Sequence, residues 1–166
     1  MLYSEAHMEE ILKLLENDAR LKPEQIVTMT GKSVAEVKNI IKAAEKDCTI
    51  LKYKAVINWS KTGEEEVLAL IEVKIQPQRE TGFDAVAERI YKFPEVKTAY
   101  LLSGTYDLAL LVTGKTMQEV ASFVSKKLAP IESVQSTVTH FLLKRYKDDG
   151  IIYEEKEGPQ RQTVTL

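Results

Sequence analysis

The sequence has few of the residues that mark secreted, metal-binding or disordered proteins. Its one cysteine, Cys48, cannot form an intramolecular disulfide, which is typical of a reducing compartment. Its two histidines lie far apart and leave no metal-ligand spacing. Five prolines and seven glycines in 166 residues argue against long disordered stretches. We therefore expect a folded cytoplasmic protein without a metal site.

Long hydrophobic runs are also missing. The longest, Leu108 to Val112, is far shorter than the roughly 18 residues of a membrane-spanning helix. The N-terminus has neither the basic start nor the apolar core of a signal peptide. The chain has no nucleophile motif and no phosphate-binding glycine loop. These absences predict no membrane association, no catalytic residues and no cofactor.

An excess of positive charge, which would point to nucleic acid, is missing as well. The net charge is −2. Within residues 1–60, nine basic side chains balance nine acidic ones. Any DNA binding must therefore depend on the local arrangement of cations, and on several subunits, because phosphate neutralisation supplies most non-specific affinity.

Three short helices are predicted in the first fifty residues. Apolar residues between Met8 and Leu15 recur with helical spacing, and this helix closes at Asn17-Asp18. Pro23 starts a second helix, which Thr30-Gly31-Lys32 ends; Ile26, Val27 and Met29 form its apolar side. A capping box over Ser33–Glu36 opens a third helix that runs to about Asp47. This order, with a glycine-containing turn before the third helix, is that of a helix-turn-helix.

The third helix carries a row of lysines. Val34, Val37, Ile40, Ile41 and Ala44 form a buried stripe, while lysines recur every four residues on another side. The predicted DNA contacts, which include two residues at the helix start, are Lys32, Ser33, Lys38, Asn39, Lys42 and Lys46. The alternative is that the lysine row is a solvated helix face without a partner.

The pattern changes to period two after Asp47. Residues 49–57 alternate and are rich in β-branched and aromatic types, which favours a strand. A strand directly after three helices predicts a winged helix-turn-helix domain over residues 1–60.

The remaining chain predicts an α+β domain over residues 61–147. Its first residues, 61–66, are polar and are expected to form a hinge. The predicted strands are Val67–Ile75, Val96–Leu102, Tyr106–Val112 and Val134–Leu143, and the predicted helices are Phe83–Phe93 and Met117–Leu128. The order βαββαβ is that of a ferredoxin-like fold, in which helices cover one face of the sheet. Strands that are apolar on both sides predict that a second copy covers the other face, which makes a homodimer.

The C-terminal extension, residues 148–166, is predicted to be partly mobile. Ile151, Ile152 and Tyr153 are expected to add an edge strand or a subunit contact. The acidic residues after them are expected to be solvated.

The chain resembles the Lrp/AsnC, or feast/famine, family of transcriptional regulators to about Tyr146. In the first domain the similarity rests on Ile11–Leu15, Asp18–Arg20, Gly31–Ser33 with Val37, and Ile50–Ile57. In the second it rests on Phe93–Val96, Ser103–Asp107 and Ile131–Thr139. Each motif alone is weak, whereas their order and spacing together are specific.

The resemblance implies a transcriptional regulator that binds double-stranded DNA. It also implies dimers paired through their sheets, octamer-like discs as a further assembly, and an amino acid held between dimers. The implied effector site is the turn formed by Ser103, Gly104, Thr105, Tyr106 and Asp107, with Thr137 and Gln135 on the last strand. A glycine lets backbone amides approach a carboxylate, and Asp107 can accept hydrogen bonds from an ammonium group. The alternative is a plain hairpin that Asp107 caps.

The sequence departs from the family pattern on and after the third helix. Asn39 stands where the family often has arginine, Ala44 where it has leucine, and Cys48 or Thr49 where it has glycine. These differences predict weaker DNA binding.

Two other functions stay open. His140, Lys144 and Arg145 invite comparison with the siroheme decarboxylases, which resemble this two-domain plan, although a lone histidine on a strand is more often structural. The neutral first sixty residues also fit a ligand-sensing assembly protein that does not bind DNA.

Overall fold

The computed structural model describes residues 5–63, 66–76 and 82–153. The chain divides into two compact units, Met1–Ile57 and Asn58–Leu166. Within the described ranges, none of the helices has the length and apolar character needed to span a bilayer. Of residues 148–166, which are predicted to be partly mobile, residues 154–166 lie outside the described residues.

Three helices form the first unit, as predicted: α1 (Glu5–Asn17), α2 (Pro23–Thr30) and α3 (Val34–Lys46). Their buried side chains form one core, made of Ile11, Leu15, Ile26, Val37 and Ile40. Helices this short are marginal alone in water, so the shared core stabilises them. Met29, predicted to lie on the apolar side of α2, is instead more than half exposed.

The turn between α2 and α3 is built by two local signals. Gly31 has a left-handed φ of 69°, which glycine adopts without steric cost, and it ends α2. The Ser33 hydroxyl accepts a hydrogen bond from the Glu36 N–H at 3.2 Å and so caps α3. In place of the second half of the predicted capping box, the Glu36 carboxylate lies 3.3 Å from His7 Nδ1 on α1.

The predicted wing strand over residues 49–57 is not formed. Residues 51–58 have no regular secondary structure, and Leu51 is 86% exposed. Alternating residues form a strand only where a neighbouring strand takes their backbone hydrogen bonds. The first unit offers no such strand among its described residues, so the alternating pattern of residues 49–57 does not produce a strand.

The second unit is a four-stranded antiparallel sheet with helices on one face. Its elements are β1 (Val67–Ile75), α4 (Gly82–Tyr91), β2 (Val96–Leu101), β3 (Leu108–Gly114), α5 (Met117–Phe123) and β4 (Val134–Phe141). The strand order is β2-β3-β1-β4. Ile71 on β1 lies opposite Leu110 on β3 and Thr139 on β4. The predicted ferredoxin-like fold is confirmed.

One face of the sheet holds the core. Ala69, Ile71 and Val73 on β1 are fully buried against Ile90 of α4 and Val120 of α5, among others. The residues that alternate with them form the other side, which we call the open face. It consists of Leu68, Leu70, Glu72, Lys74, Thr98, Tyr100, Ala109, Leu111, Thr113, Ser136, Val138 and His140.

Several element ends differ from the predictions. The strand β3 begins at Leu108, because Tyr106 and Asp107 belong to the preceding turn, where the Leu102 N–H donates to the Asp107 carbonyl at 2.8 Å. After Phe123 the second helix continues as a π-helical turn, Val124–Leu128. The last strand, β4, ends at Phe141 and does not reach Leu143.

A small hairpin follows β4. Its strands, β5 (Lys147–Asp148) and β6 (Ile151–Ile152), form a separate two-stranded sheet. Asp149 and Gly150 have φ of 48° and 78°, the left-handed pair of a type I′ turn. Ile151 and Ile152 therefore pair locally with β5, and the predicted edge strand of the main sheet is wrong. The predicted subunit contact stays a prediction.

Cys48 provides a test of backbone strain at the end of α3. It has a left-handed φ of 63° although it carries a Cβ. Cys48→Gly is expected to raise the free energy of unfolding of the first unit by about 0.5–1 kcal/mol. The left-handed conformation costs a residue with a side chain about 1–2 kcal/mol, and glycine avoids this cost. Part of the resulting stabilisation is offset because glycine raises the conformational entropy of the unfolded chain. Urea denaturation followed by circular dichroism measures the change.

The control is Cys48→Ala, which removes the same thiol but keeps the Cβ. Equal stability of the glycine and alanine variants would show that this position is not strained.

Candidate functional site

The exposed side of α3 carries most of the predicted DNA contacts. Lys38, Lys42 and Lys46 are all exposed, and Asn39 is exposed beside them. A four-residue spacing aligns the three ammonium groups along one stripe of the helix. The opposite side of α3 is fixed in the core of the unit, so the stripe faces solvent.

Lys38 has one weak internal partner. Its Nζ lies 3.7 Å from Glu24 Oε1 on α2, and both side chains are well exposed. An ion pair this exposed is worth little in water. A phosphate group can therefore replace the Glu24 carboxylate at small cost.

The structure gives Lys32 and Ser33 internal partners. Lys32 Nζ lies 2.6 Å from Glu10 Oε2 on α1, and the Lys32 side chain is only 9% exposed. The Ser33 hydroxyl is the helix cap described above. Both residues hold the turn before α3 in place. The cap by Ser33 was predicted from the sequence, whereas the pairing of Lys32 with Glu10 was not.

The segment after α3 folds back onto the end of that helix. The Ile50 N–H donates to the Ala44 carbonyl at 2.9 Å, and the Tyr53 hydroxyl donates to Glu45 Oε1 at 3.0 Å. Partial burial and the neighbouring Glu45 carboxylate raise the pKa of Tyr53, so the hydroxyl keeps its proton and remains a donor. These hydrogen bonds fix the direction in which the backbone continues after α3.

The predicted effector turn is tied to the end of β1 through Asp107. Its N–H donates to the Val73 carbonyl at 3.0 Å. Its carboxylate accepts a hydrogen bond from the Ile75 N–H at 2.7 Å through Oδ2, and Oδ1 lies 3.2 Å from Lys74 Nζ. The hydrogen bond from Ile75 lowers the pKa of Asp107, and Lys74 lowers it further, although burial acts in the opposite direction.

Gly104 is not required by the backbone of this turn. Its φ is outside the left-handed region, and a Cβ built there meets no atom within 4 Å. Ser103 and Thr105 on either side are also exposed, while Tyr106 is half-buried. The surface of the turn is thus open to a molecule from solvent.

The two predicted residues on β4 lie at the same end of β1. Gln135 Nε2 donates to Gln76 Oε1 at 3.1 Å, next to an irregularity in the strand pairing. Thr137 lies opposite Val73, whose side chain is on the helix-covered face. Residues paired across antiparallel strands share a face, so Thr137 is directed away from the side that holds Lys74.

Comparison with known proteins decides the family. Residues 68–152 match the model of the Lrp/AsnC ligand-binding domain. Over 157 residues, 94% of this chain and 95% of the other, the sequence is 48% identical to the HTH-type transcriptional regulator YugG of Bacillus subtilis. The chain belongs to the Lrp/AsnC family. Its domain match reaches residue 152, so it includes the C-terminal hairpin beyond Tyr146.

Two solved structures share the fold of this Lrp/AsnC protein at low sequence identity. One is a transcriptional regulator of Neisseria meningitidis in complex with L-methionine. It is 22% identical in sequence and has a TM-score of 0.71, and the match covers 89% of this chain and 94% of that one. The other is a feast or famine regulatory protein of M. tuberculosis complexed with L-methionine: 20% identical, TM-score 0.70, covering 85% and 92%.

The enzyme alternative is not supported in this Lrp/AsnC protein. The proteins named above are transcriptional regulators. His140 Nε2 lies 3.1 Å from Glu72 Oε2, Lys144 Nζ lies 5.1 Å from the centre of the Tyr146 ring, and Arg145 pairs with Asp148 at 3.2 Å. Each of the three basic residues has its own partner, and they do not form one cationic site.

Sequence reasoning missed two polar residues near the effector turn. Lys74 pairs with Asp107, and Ser136 lies opposite Lys74 on β4. The sequence signal for Lys74 was its charge within the mostly apolar strand Val67–Ile75, in which the residues on either side of it are buried.

A cleft of about 230 Å³ lies elsewhere in the second unit. Its lining residues are Glu95, Thr113, Gly114, Glu119, Ser122, Phe123, Lys126 and Lys127. None of the predicted effector residues is among them. Lys127 forms an ion pair with one oxygen of Glu95, while the other oxygen is enclosed and receives no hydrogen bond from the described residues.

Asp107 gives a test of the anchoring of the turn. Asp107→Ala is expected to lower the free energy of unfolding of the second unit by about 1–3 kcal/mol at neutral pH, because the buried Ile75 N–H loses its acceptor. Asp107→Asn keeps an acceptor at the same place, so its loss should be smaller. Chemical denaturation of both variants makes the comparison.

The pH dependence follows from the lowered pKa of Asp107. The carboxylate stabilises the fold above its ordinary pKa, about 3.9, and this contribution is lost as the pH falls through the lowered folded-state value. The stability gap between wild type and Asp107→Asn should therefore be constant near neutrality and shrink below about pH 4. A gap that stays constant into acid would contradict the assigned role.

Proposed function

We propose that this protein is a sequence-specific DNA-binding transcriptional regulator of amino-acid-related metabolism, modulated by a small effector, an amino acid. The observation that carries the proposal is the stripe of Lys38, Lys42 and Lys46 on the solvent side of α3, in a helix-turn-helix of an Lrp/AsnC protein. We assign it to the cytoplasm, where its single thiol stays reduced.

Double-stranded DNA is the partner that fits this stripe. The second helix of a helix-turn-helix motif, which is α3 in this chain, lies in the major groove. Lysines on it neutralise the neighbouring phosphates. Asn39 lies among the three lysines, and an asparagine amide can form two hydrogen bonds with adenine. We therefore assign Lys38, Lys42 and Lys46 to phosphate binding, and Asn39 to base contact.

Assembly follows from the open face of the sheet. This face carries exposed apolar residues, among them Leu70 and the 64% exposed Tyr100, at positions where an antiparallel sheet packs against a partner. A second copy of the chain would cover the centre of this face, around Leu70, leave Lys74 at the end of β1 accessible, and bring two reading helices together. We propose a homodimer as the basic unit, with an octamer as the higher assembly.

The effector part rests on the turn at Ser103–Asp107. Its exposed surface, its Gly104 and its charged pair Lys74–Asp107 offer backbone and charged groups to a small polar ligand. L-methionine is the ligand in the complexes of the two structurally similar regulators. We therefore propose an amino acid as effector, bound between dimers.

A ligand-sensing protein without DNA binding is the second candidate. It is favoured by the equal numbers of basic and acidic residues in the first sixty positions. The two candidates differ in whether the protein binds DNA with a salt-dependent affinity.

DNA binding is tested with the double variant Lys38→Ala/Lys42→Ala. In a gel-shift titration on the DNA upstream of its own gene, the variant should bind more weakly than wild type. The slope of log affinity against log salt should become flatter by about 0.9 for each phosphate that the variant no longer neutralises. Adding a mixture of amino acids to the wild-type titration tests the effector response.

The matched control is Lys92→Ala, which removes a lysine directly after α4 that pairs with Glu88. Wild-type protein that fails to retard upstream DNA, or a double variant that binds like wild type, would favour the second candidate.

The homodimer is tested with Leu70→Glu. The substitution places an unpaired carboxylate in the centre of the open face, which should weaken dimerisation by a factor on the order of 100. Light scattering coupled to size exclusion gives the mass, and circular dichroism confirms the fold. Tyr91→Glu changes an exposed aromatic residue on α4 and should leave the mass unchanged. Equal masses for the two variants would contradict the assigned interface.

A further inference from the structure

We propose that Lys74 is the anion-binding group of the effector site and restricts the site to zwitterions. The inference rests on the proposed function, because it concerns the ligand of the Ser103–Asp107 turn. It assigns to Lys74 the carboxylate of the ligand, and to Asp107 its ammonium group.

The geometry shows how Asp107 is occupied. The Oδ2 atom is fixed by the Ile75 N–H at 2.7 Å, and Oδ1 pairs with Lys74 Nζ at 3.2 Å. The Asp107 side chain is 15% exposed, whereas the Lys74 side chain is 38% exposed. Asp107 is thus held by the backbone, and Lys74 is the partner that a ligand can displace.

Charge balance then selects the ligand. The Lys74–Asp107 pair is neutral, and a partly buried pair is sensitive to any added charge. A simple amine at Oδ1 would leave two cations around one carboxylate. A simple acid at Lys74 would leave two anions around one ammonium. A zwitterion contributes one charge to each partner, so all four charges have an opposite neighbour.

The surroundings of Lys74 fit a carboxylate. Ser136 lies opposite Lys74 on β4, and its exposed side chain is on the same face of the sheet. The nearest acidic residue on that face of β1 is Glu72, and its carboxylate already pairs with His140 at 3.1 Å. Lys74 therefore has a hydroxyl beside it, and Glu72 is engaged elsewhere.

The experiment is isothermal titration calorimetry on the full-length protein. The twenty amino acids are screened against wild type, and the tightest binder is then compared with its decarboxylated amine and its deaminated acid. Wild type is expected to bind the amino acid more tightly than either derivative. Lys74→Met should weaken amino-acid binding about tenfold or more, the effect of removing one charge-assisted hydrogen bond. It should also strengthen binding of the amine, because Asp107 is then unpaired.

Two variants separate this role from a structural one. Lys74→Arg keeps the cation and should keep the preference for the zwitterion. Lys97→Met makes the same chemical change at an exposed position on β2 and should change nothing. If Lys74→Met binds the three ligands with wild-type affinities, the Lys74 assignment is wrong and the effector site stands. If none of the twenty amino acids binds wild type, the amino-acid effector itself is overturned, and Lys74 loses its role with it.

Discussion

The second unit depends on the double pairing of β1. This strand hydrogen-bonds to β3 along one edge and to β4 along the other, and its buried residues contribute much of the core. The Asp107 carboxylate extends the same pairing beyond the end of β3 by accepting the Ile75 N–H. The effector turn, the open face and residues from β4 therefore all take their positions from one strand. A shift of its register would move each of them at once.

Local signals made the helices predictable. Pro23 starts α2 and Gly31 ends it, because their backbone preferences act within a few residues. The sheet topology followed from the order of strands and helices, since few arrangements satisfy βαββαβ. The strand over residues 49–57 was predicted wrongly for the converse reason: its alternation was local, but a strand needs a partner that the first unit lacks in its described residues.

The candidate site was predictable in place more than in detail. The family resemblance indicated the turn around Gly104, and helical spacing indicated the lysine stripe of α3. Neither indicated that Lys32 pairs with Glu10 or that Lys74 pairs with Asp107, because the members of each pair lie far apart in sequence. Thr137 was assigned to the site by its place on the last strand. Its face was decided by its register with Val73, which no local pattern reveals.

The neutral charge of the first unit hides an uneven distribution. Glu10 contacts Lys32, Glu36 contacts His7, and Glu45 accepts the Tyr53 hydroxyl. These acidic groups hold the helices and the following segment in place, whereas Lys42 and Lys46 are exposed on α3. Total charge counts both sets alike, and it therefore underestimates the cationic character of the face that α3 presents.

Cys48 gives the molecule a built-in attachment point. It is the one thiol of the chain, it is exposed, and it follows the last turn of α3. A maleimide dye would therefore label the unmodified protein at a single position, directly beside the proposed reading helix. Fluorescence from that dye would report on events at the end of α3 without any engineered cysteine.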